Sequence, residues 1–370
     1  KQVMDYFVKV QAFPDIQDRD YIISKSVDFC RKQVLKKAMM KSVPLLNKCS
    51  FEEIEKLIAD ALKLGISNDH GYDYIKDFEA RFIERARNPV TTGWTKIDKI
   101  TKGGLGQGEL VVVVAPTGAG KSHVLVHLGA QALKQGKNVV HFTLELADTA
   151  VAQRYDACLT GIPLDELINQ KDEVYDVIKD IDGQLIVKEF PTKSASTVTL
   201  KNHLEKIRQT EMEIDMIVVD YGDLLKSSTI RKNSEKRHEL ESIYEELRGL
   251  GQEFGCPIVT ASQTNRKGLN EEVITMESIS EAFNKCFVAD FIISLSRTIK
   301  DRNANIARIF VAKNRNGPDG IVYSAFMDTS SVSIKVLERD DVVKLQQQQL
   351  AKQQQKEFSK AREVFRNMKK

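Results

Sequence analysis

Cysteine is scarce in this 370-residue chain, and the five present (Cys30, Cys49, Cys158, Cys256, Cys286) lie far apart with no CxxC pair. An odd, dispersed set supports neither a disulfide framework nor a zinc ribbon, and points to a reducing, cytoplasmic compartment. Long apolar runs are also missing. The longest, LVVVVAP at 110–116, is far below the roughly 18 apolar residues that a helical bilayer span requires. No signal-type N-terminus is visible either, so no membrane partner is expected. Charge of one sign is not in excess: 55 Lys+Arg stand against 52 Asp+Glu, with 42% apolar residues. That balance excludes a disordered or collagen-like chain. The length suffices for one large α/β domain plus a smaller element, or for two modest domains. The chain opens on Lys1 within a helical pattern, VMDYFVKV at 3–10, and is expected to be a fragment.

What basic surplus there is lies at the end. Residues 339–370 hold nine Lys/Arg against four Asp/Glu in a Gln-rich context (QQQQLAKQQQKEFSKAREVFRNMKK). That tail reads as solvated helix or disorder, with contact to nucleic acid or a partner as the alternative.

Four stretches follow from the patterning. Residues 1–66 are helical: SVDFCRKQVLKKAMMKSV (26–43) and SFEEIEKLIADALKLG (50–65) repeat apolar residues at three and four spacing. Ser50 with Glu53 forms a capping box and Gly65 a stop. Residues 67–90 are a linker in which DYIKDFEARFIERAR (73–87) carries Tyr74, Ile75, Phe78, Phe82 and Ile83 as one apolar stripe, expected to pack on an adjacent subunit. NPVTTG breaks it. From 91 to 338, strand-length apolar runs alternate with helical patterns: 110–115, 138–144, 184–190, 215–220, 257–262, 290–296, then 307–312 and 321–327 close together. This predicts an α/β fold with a mostly parallel twisted sheet flanked by helices, closing on an antiparallel hairpin. Residues 339–370 are the tail.

The chemistry is carried first by the loop Ala115, Pro116, Thr117, Gly118, Ala119, Gly120, Lys121, Ser122, set between an apolar strand and a helical pattern. In that context A-x₄-G-K-S is a phosphate-binding loop: glycines let amides wrap phosphates, Lys121 reaches the terminal oxygens, and the Ser122 hydroxyl ligates Mg²⁺. Ligands of parallel sheets sit beyond the carboxyl ends of the strands, which gives other strand-end residues roles. Asp220 closes MIVVD as the acid that holds Mg²⁺ through its water shell; the bland alternative is an ordinary strand end. Glu145 closes VVHFTLE as a base for the attacking water, or is a surface glutamate. Gln263 ends PIVTASQ as a γ-phosphate sensor, or is merely polar. Lys313 and Arg315 in KNRNGPDG (313–320) stand two residues apart at another strand end, able to reach a nucleotide held by a neighbouring subunit. Together these define an ATP- and Mg²⁺-dependent hydrolase. Basic residues in IRKNSEKRH (230–238), namely Arg231, Lys232, Lys236 and Arg237, suit backbone phosphates or simply a solvated loop.

In order, TTGWTKIDKITKGGLGQGEL (91–110), APTGAGKS, FTLE (142–145), VVDY (218–221), TASQTNR (260–266), SISEAFNKCFVADFI (278–292) and AKNRNGPDG (312–320) resemble the RecA-type motor of DnaB-like hexameric replicative helicases. GYDYIKDFEARF (71–82) is similar to the linker helix of the T-even phage members. The resemblance implies a RecA-like core preceded by a small helical collar, an ATP-driven ring moving 5′ to 3′ on single-stranded DNA, and a home in a phage-infected bacterial cell. It also implies primase and helicase-loader partners, and trans-acting roles for Lys313 and Arg315. Ser280 stands where bacterial relatives often carry a DNA-contacting Arg, which leaves Glu281, Asn284 and Lys285 as the DNA candidates of that loop. Two alternatives stay open at this point. One is a strand-exchange or KaiC-like signalling ATPase, and the other is a nucleotide-dependent scaffold with little turnover.

Overall fold

The computed structural model describes residues 19–46, 53–54, 58, 74–75, 78, 88–227, 236–264, 273–274 and 287–338. The chain divides into two compact units, Lys1–Arg85 and Ala86–Lys370. The first contains α1 (Arg19–Leu46), longer at both ends than its apolar spacing suggested and carrying Pro44 within its last turn. Tyr74, Ile75 and Phe78 lie in turns; the rest of the expected linker stripe, Phe82 and Ile83, lies outside the described residues, as does the 339–370 tail.

In the second unit the described elements run α2 (Thr95–Ile100), β1 (Leu110–Ala115), α3 (Lys121–Lys134), β2 (Val139–Thr143), α4 (Asp148–Thr160), α5 (Lys171–Ile178), β3 (Leu185–Glu189), α6 (Thr197–Arg208), β4 (Met216–Asp220), α7 (Lys236–Phe254), β5 (Ile258–Gln263), β6 (Phe291–Ser296), α8 (Ile299–Asn303), β7 (Ile306–Asn314), β8 (Val322–Asp328) and β9 (Ser333–Val336). The strands form one sheet in the order β3-β2-β4-β5-β1-β6-β7-β8-β9. β3 through β6 in that order are parallel, and β7, β8 and β9 are added antiparallel.

β1 is buried along its whole length and reads as continuous Leu/Val because both faces are covered. Val111, Val113 and Ala115 pack on one face with Val124, Leu125 and Leu128 of α3 and Val151 of α4. Leu110, Val112 and Val114 pack on the other with Leu200 and Leu204 of α6 and Tyr244 and Leu247 of α7. The period of two along the strand thus divides its side chains between two apolar layers.

α3 and α4 approach closely at Gly129, where an added Cβ would stand 2.1 Å from Tyr155 Oη and 2.9 Å from its Cζ. Tyr155 cannot withdraw cheaply: it is fully buried and its hydroxyl pairs with His141 Nδ1 at 3.0 Å. Gly129→Ala, which raises helix propensity, is therefore expected to destabilise the unit by about 1–3 kcal/mol through overpacking. A thermal melt unchanged or raised in this variant would refute the contact.

Two buried rings make the fold sensitive to acid. His127 stacks on Trp94 at 4.8 Å and donates from Nε2 to the Thr92 carbonyl at 3.2 Å. Burial lowers His127 to about 4 and His141 to about 3. The unfolded chain regains a histidine value near 6.5, so below that pH it takes up protons that the folded state refuses. Stability is unaffected above 6.5 and falls as pH drops from there towards 4, by about 2 kcal/mol per ring at pH 5. Urea unfolding should show a lower midpoint at about pH 5 than at about pH 7.5; equal midpoints would contradict neutral, buried rings.

Candidate active site

β1 ends in buried Ala115, and after buried Pro116 the chain turns through residues 117–120 into α3. Gly118 and Gly120 hold φ of +73° and +108°, which L side chains adopt at a cost. Gly120 has a second constraint, since a Cβ there would lie 2.2 Å from Met327 Cε. Among the described residues no side chain caps α3 at Gly120, and the N-terminus of a helix behind a glycine loop is the arrangement that binds phosphate.

Five further residues converge on this edge. Asp220 ends β4, and the Ser122 hydroxyl is hydrogen-bonded to its carboxylate. Burial raises the Asp220 pKa; the Ser122 hydrogen bond opposes that rise, and the charge of Glu145 adds to it. Lys121 Nζ lies 5.7 Å from the centroid of the Tyr221 ring. β2 pairs with β4 so that Thr143 faces Asp220, and Leu144 N donates to the Asp220 carbonyl at 2.9 Å. Exposed Glu145 follows at once, on the same edge. Gln263 ends β5 in register with Ala115, and its Nε2 donates to Thr117 Oγ1 at 2.5 Å. Lys121, Ser122, Glu145, Asp220 and Gln263 are thus gathered at the carboxyl edge of the parallel strands, as expected.

A divalent cation suits this donor set. Asp220 Oδ1 is buried with no hydrogen-bond partner among the described residues, and a carboxylate beside a hydroxyl is the all-oxygen chemistry that Mg²⁺ takes. Behind Gln263, the Asp223 carboxylate accepts from Tyr244 Oη at 2.8 Å and from the Gln263 backbone N–H at 3.4 Å. Asp223 and Tyr244 carry no sequence motif and were missed.

Lys313 and Arg315 are not at this edge. β7 is antiparallel, with Asn314 opposite Phe291 and Lys313 opposite Ile292, so its carboxyl end coincides with the amino ends of β1 and β6. The reading that put them at a carboxyl edge of the parallel strands is corrected: six strand residues separate them from the phosphate loop, about 20 Å at 3.3 Å per residue. Lys313 Nζ donates to the Phe287 carbonyl at 2.6 Å and lies 4.7 Å from that ring's centroid. Arg315 Nη1 donates to Asp290 Oδ1 at 2.9 Å. Asp290, just before the apolar run of β6, also went unread. Lys236 and Arg237 open α7 instead of lying in a loop. Arg231, Lys232, Glu281, Asn284 and Lys285 lie outside the described residues.

A central strand, a glycine loop and an uncapped helix, on a sheet with carboxylates at neighbouring strand ends, define the P-loop class of α/β proteins with a RecA-like core. Residues 89–335 match the family model described as the DnaB-like helicase C terminal domain, and the chain belongs to that family. A DnaB-like replicative helicase of Enterobacteria phage T4 is 30% identical over 277 residues, covering 71% of this chain and 58% of its own. A replicative DNA helicase DnaB of Mycoplasma genitalium is 26% identical, covering 70% and 60%. The chain therefore spans about three fifths of the length of these curated relatives. Among solved structures, a DnaB-like replicative helicase described with its interactions with primase aligns at TM-score 0.60 and 16% identity, covering 88% of this chain and 81% of its own. Among the described residues, no helix is long and apolar enough to cross a membrane.

Proposed function

We propose that this chain is the motor of a replicative DNA helicase, a ring that hydrolyses ATP and moves 5′ to 3′ on single-stranded DNA. The observation that carries the reading is the convergence of Lys121, Ser122, Glu145, Asp220 and Gln263 around one phosphate loop. Family membership favours this reading over strand exchange, signalling and a silent scaffold, because the relatives matched over the motor are named replicative helicases.

In this reading the loop amides and the α3 N-terminus hold the β- and γ-phosphates, and Lys121 neutralises their charge. Ser122 and Asp220 would hold Mg²⁺, which supplies positive charge at the phosphate oxygens when bound. Glu145 takes a proton from water as the water oxygen bonds to the γ-phosphorus and the bond to the bridging β-oxygen breaks, giving ADP and phosphate. Gln263 joins the phosphate site to Asp223 and, through Tyr244, to α7.

The separation of Lys313 and Arg315 from their own phosphate loop supports a role at the site of the next subunit, hence a ring, with a hexamer as in the family. Arg231, Lys232, Lys236, Arg237, Glu281, Asn284 and Lys285 are proposed to meet DNA phosphates in the channel. Residues 1–66 are proposed as collar and 67–90 as linker, with a primase and a loader as partners and a phage-infected cell as setting. ATP hydrolysis measured with and without single-stranded DNA, beside displacement from a forked duplex and native mass with a non-hydrolysable analogue, tests the reading. DNA-stimulated hydrolysis, a ring-sized mass and strand displacement are expected. Nucleotide-dependent rings without displacement would favour the signalling or scaffold alternatives.

A further inference from the structure

Arg315 is held at a buried charge cluster whose arrangement goes beyond what its place in the hairpin requires. Asp290 sits between β1 and β6 at the amino edge, its side chain only 7% exposed. Its backbone and side chain are both committed: the Asp290 amide donates to the Leu110 carbonyl at 2.9 Å, and Oδ2 accepts the Leu110 amide at 3.0 Å. Arg248 of α7 grips the same carboxylate with both oxygens, Nε to Oδ2 and Nη2 to Oδ1, each at 3.0 Å. This fork fixes the plane of the carboxylate. Arg315 then takes one remaining acceptor position, Nη1 to Oδ1 at 2.9 Å, while its backbone amide donates to the Asp290 carbonyl at 3.0 Å.

The asymmetry between the two guanidinium groups is informative. Arg248 is bidentate and its side chain is 27% exposed, whereas Arg315 is held by one N–H and is 44% exposed. The other N–H donors of Arg315 have no protein partner among the described residues. One carboxylate shared by two guanidinium groups leaves a net positive charge, and Lys313 nearby adds to it. Burial lowers the Lys313 pKa, and the neighbouring Arg315 charge lowers it further. The turn that carries Arg315 is strapped as well. Asn314 Nδ2 donates to the Ile100 carbonyl at 2.9 Å, Asn316 Nδ2 donates to Glu109 Oε1 at 2.8 Å, and a Cβ on Gly317 would stand 2.2 Å from the Ile100 oxygen.

We propose that Asp290, its plane set by Arg248, is the positioning residue that presents the Arg315 guanidinium to a triphosphate bound by the adjacent copy of this chain. This rests on the reading of Arg315 as a trans-acting group. A single anchoring bond fixes the direction of a long side chain and leaves its outer donors for phosphate oxygens. The entropy of ordering that side chain is thereby met before the subunits meet.

The test uses the full chain with Arg315→Ala, Asp290→Asn and the double variant. Asparagine keeps the size of Asp290 and an acceptor for the Leu110 amide while removing the charge that holds two guanidinium groups. DNA-stimulated kcat and KM for ATP, the Kd of a fluorescent ATP analogue, native mass and thermal melts are read for each. Arg315→Ala is expected to lose about a hundredfold or more in kcat with analogue affinity nearly unchanged. Asp290→Asn should lose about tenfold in kcat with the same unchanged affinity. The double variant should be no slower than Arg315→Ala alone, because a positioning residue has nothing left to position. If Arg315→Ala turns over normally, the trans-acting reading itself is wrong. If Arg315→Ala is slow while Asp290→Asn is normal, that reading stands and the positioning role falls. Losses that multiply in the double variant also overturn it, since Asp290 would then act on something else. Should Asp290→Asn fail to fold, Arg248→Gln, on a partly exposed helix face, takes its place. A loss of about threefold or more in kcat that vanishes in an Arg315→Ala background supports the proposal, and an unchanged kcat refutes it.

Discussion

Lys121→Ala is expected to abolish ATP hydrolysis, with a loss of about a thousandfold or more in turnover and weakened nucleotide binding. The loop holds no second cation: between Ala115 and Ser122 the chain is Pro, Thr, Gly, Ala and Gly apart from Lys121. Backbone amides would still meet the phosphates, but an ammonium contributes to the developing negative charge what neutral donors cannot, and a charge-assisted bond is about twice as strong as a neutral one. Arg302 does not replace it, although its guanidinium nitrogens lie 3.8 and 3.9 Å from where a Cβ on Gly118 would be. That group is carried on α8, outside the loop, and lacks the position of Lys121 at the first residue of α3. A steady-state assay with analogue binding decides the matter, and turnover within tenfold of the parent would remove Lys121 from the centre.

The second large effect belongs to Glu145. Glu145→Gln should keep nucleotide affinity within a few-fold and keep ring assembly, while kcat falls by about 10²–10⁴. The amide preserves shape and hydrogen bonding but takes no proton at neutral pH. Glu145 is the exposed member of the pair of carboxylates at this edge and Asp220 the buried one, hydrogen-bonded to Ser122. The division accords with the proposed roles, proton transfer at the carboxylate that water can reach and cation binding at the other. Turnover surviving within a few-fold would show that another group activates the water.

The parallel part of the fold was legible because strands buried on both faces must be continuously apolar. The runs at 110–115, 215–220 and 290–296 became β1, β4 and β6 with ends shifted by at most one residue. The phosphate loop was legible for a local reason: strand, glycines and helix are adjacent in sequence. β9 escaped because SIKV is four residues long and follows a polar turn, so its alternation is too brief to separate from a loop. α1 was underestimated because only 26–43 repeats apolar residues at three and four spacing, whereas the helix runs on to Arg19 and Leu46 through residues without that repeat. The edge occupied by Lys313 and Arg315 was misread for a directional reason. Reversing a strand exchanges its ends, so a residue that closes an antiparallel strand stands where its parallel neighbours begin. Asp290 and Arg248 are far apart in sequence and meet only through the sheet, which no local pattern announces.

The placement of the phosphate loop and the Arg315 cluster at opposite edges of one sheet has a counting consequence. If, as proposed, each copy supplies half of a complete centre at either edge, any head-to-tail file of copies wastes one half-centre at each terminus. A file of two completes one centre from two loops, and lengthening the file reduces the wasted share without removing it. Joining the last copy to the first is the arrangement in which every loop faces a cation pair, so specific activity per copy should rise with the number of copies in a file and step to its maximum on closure.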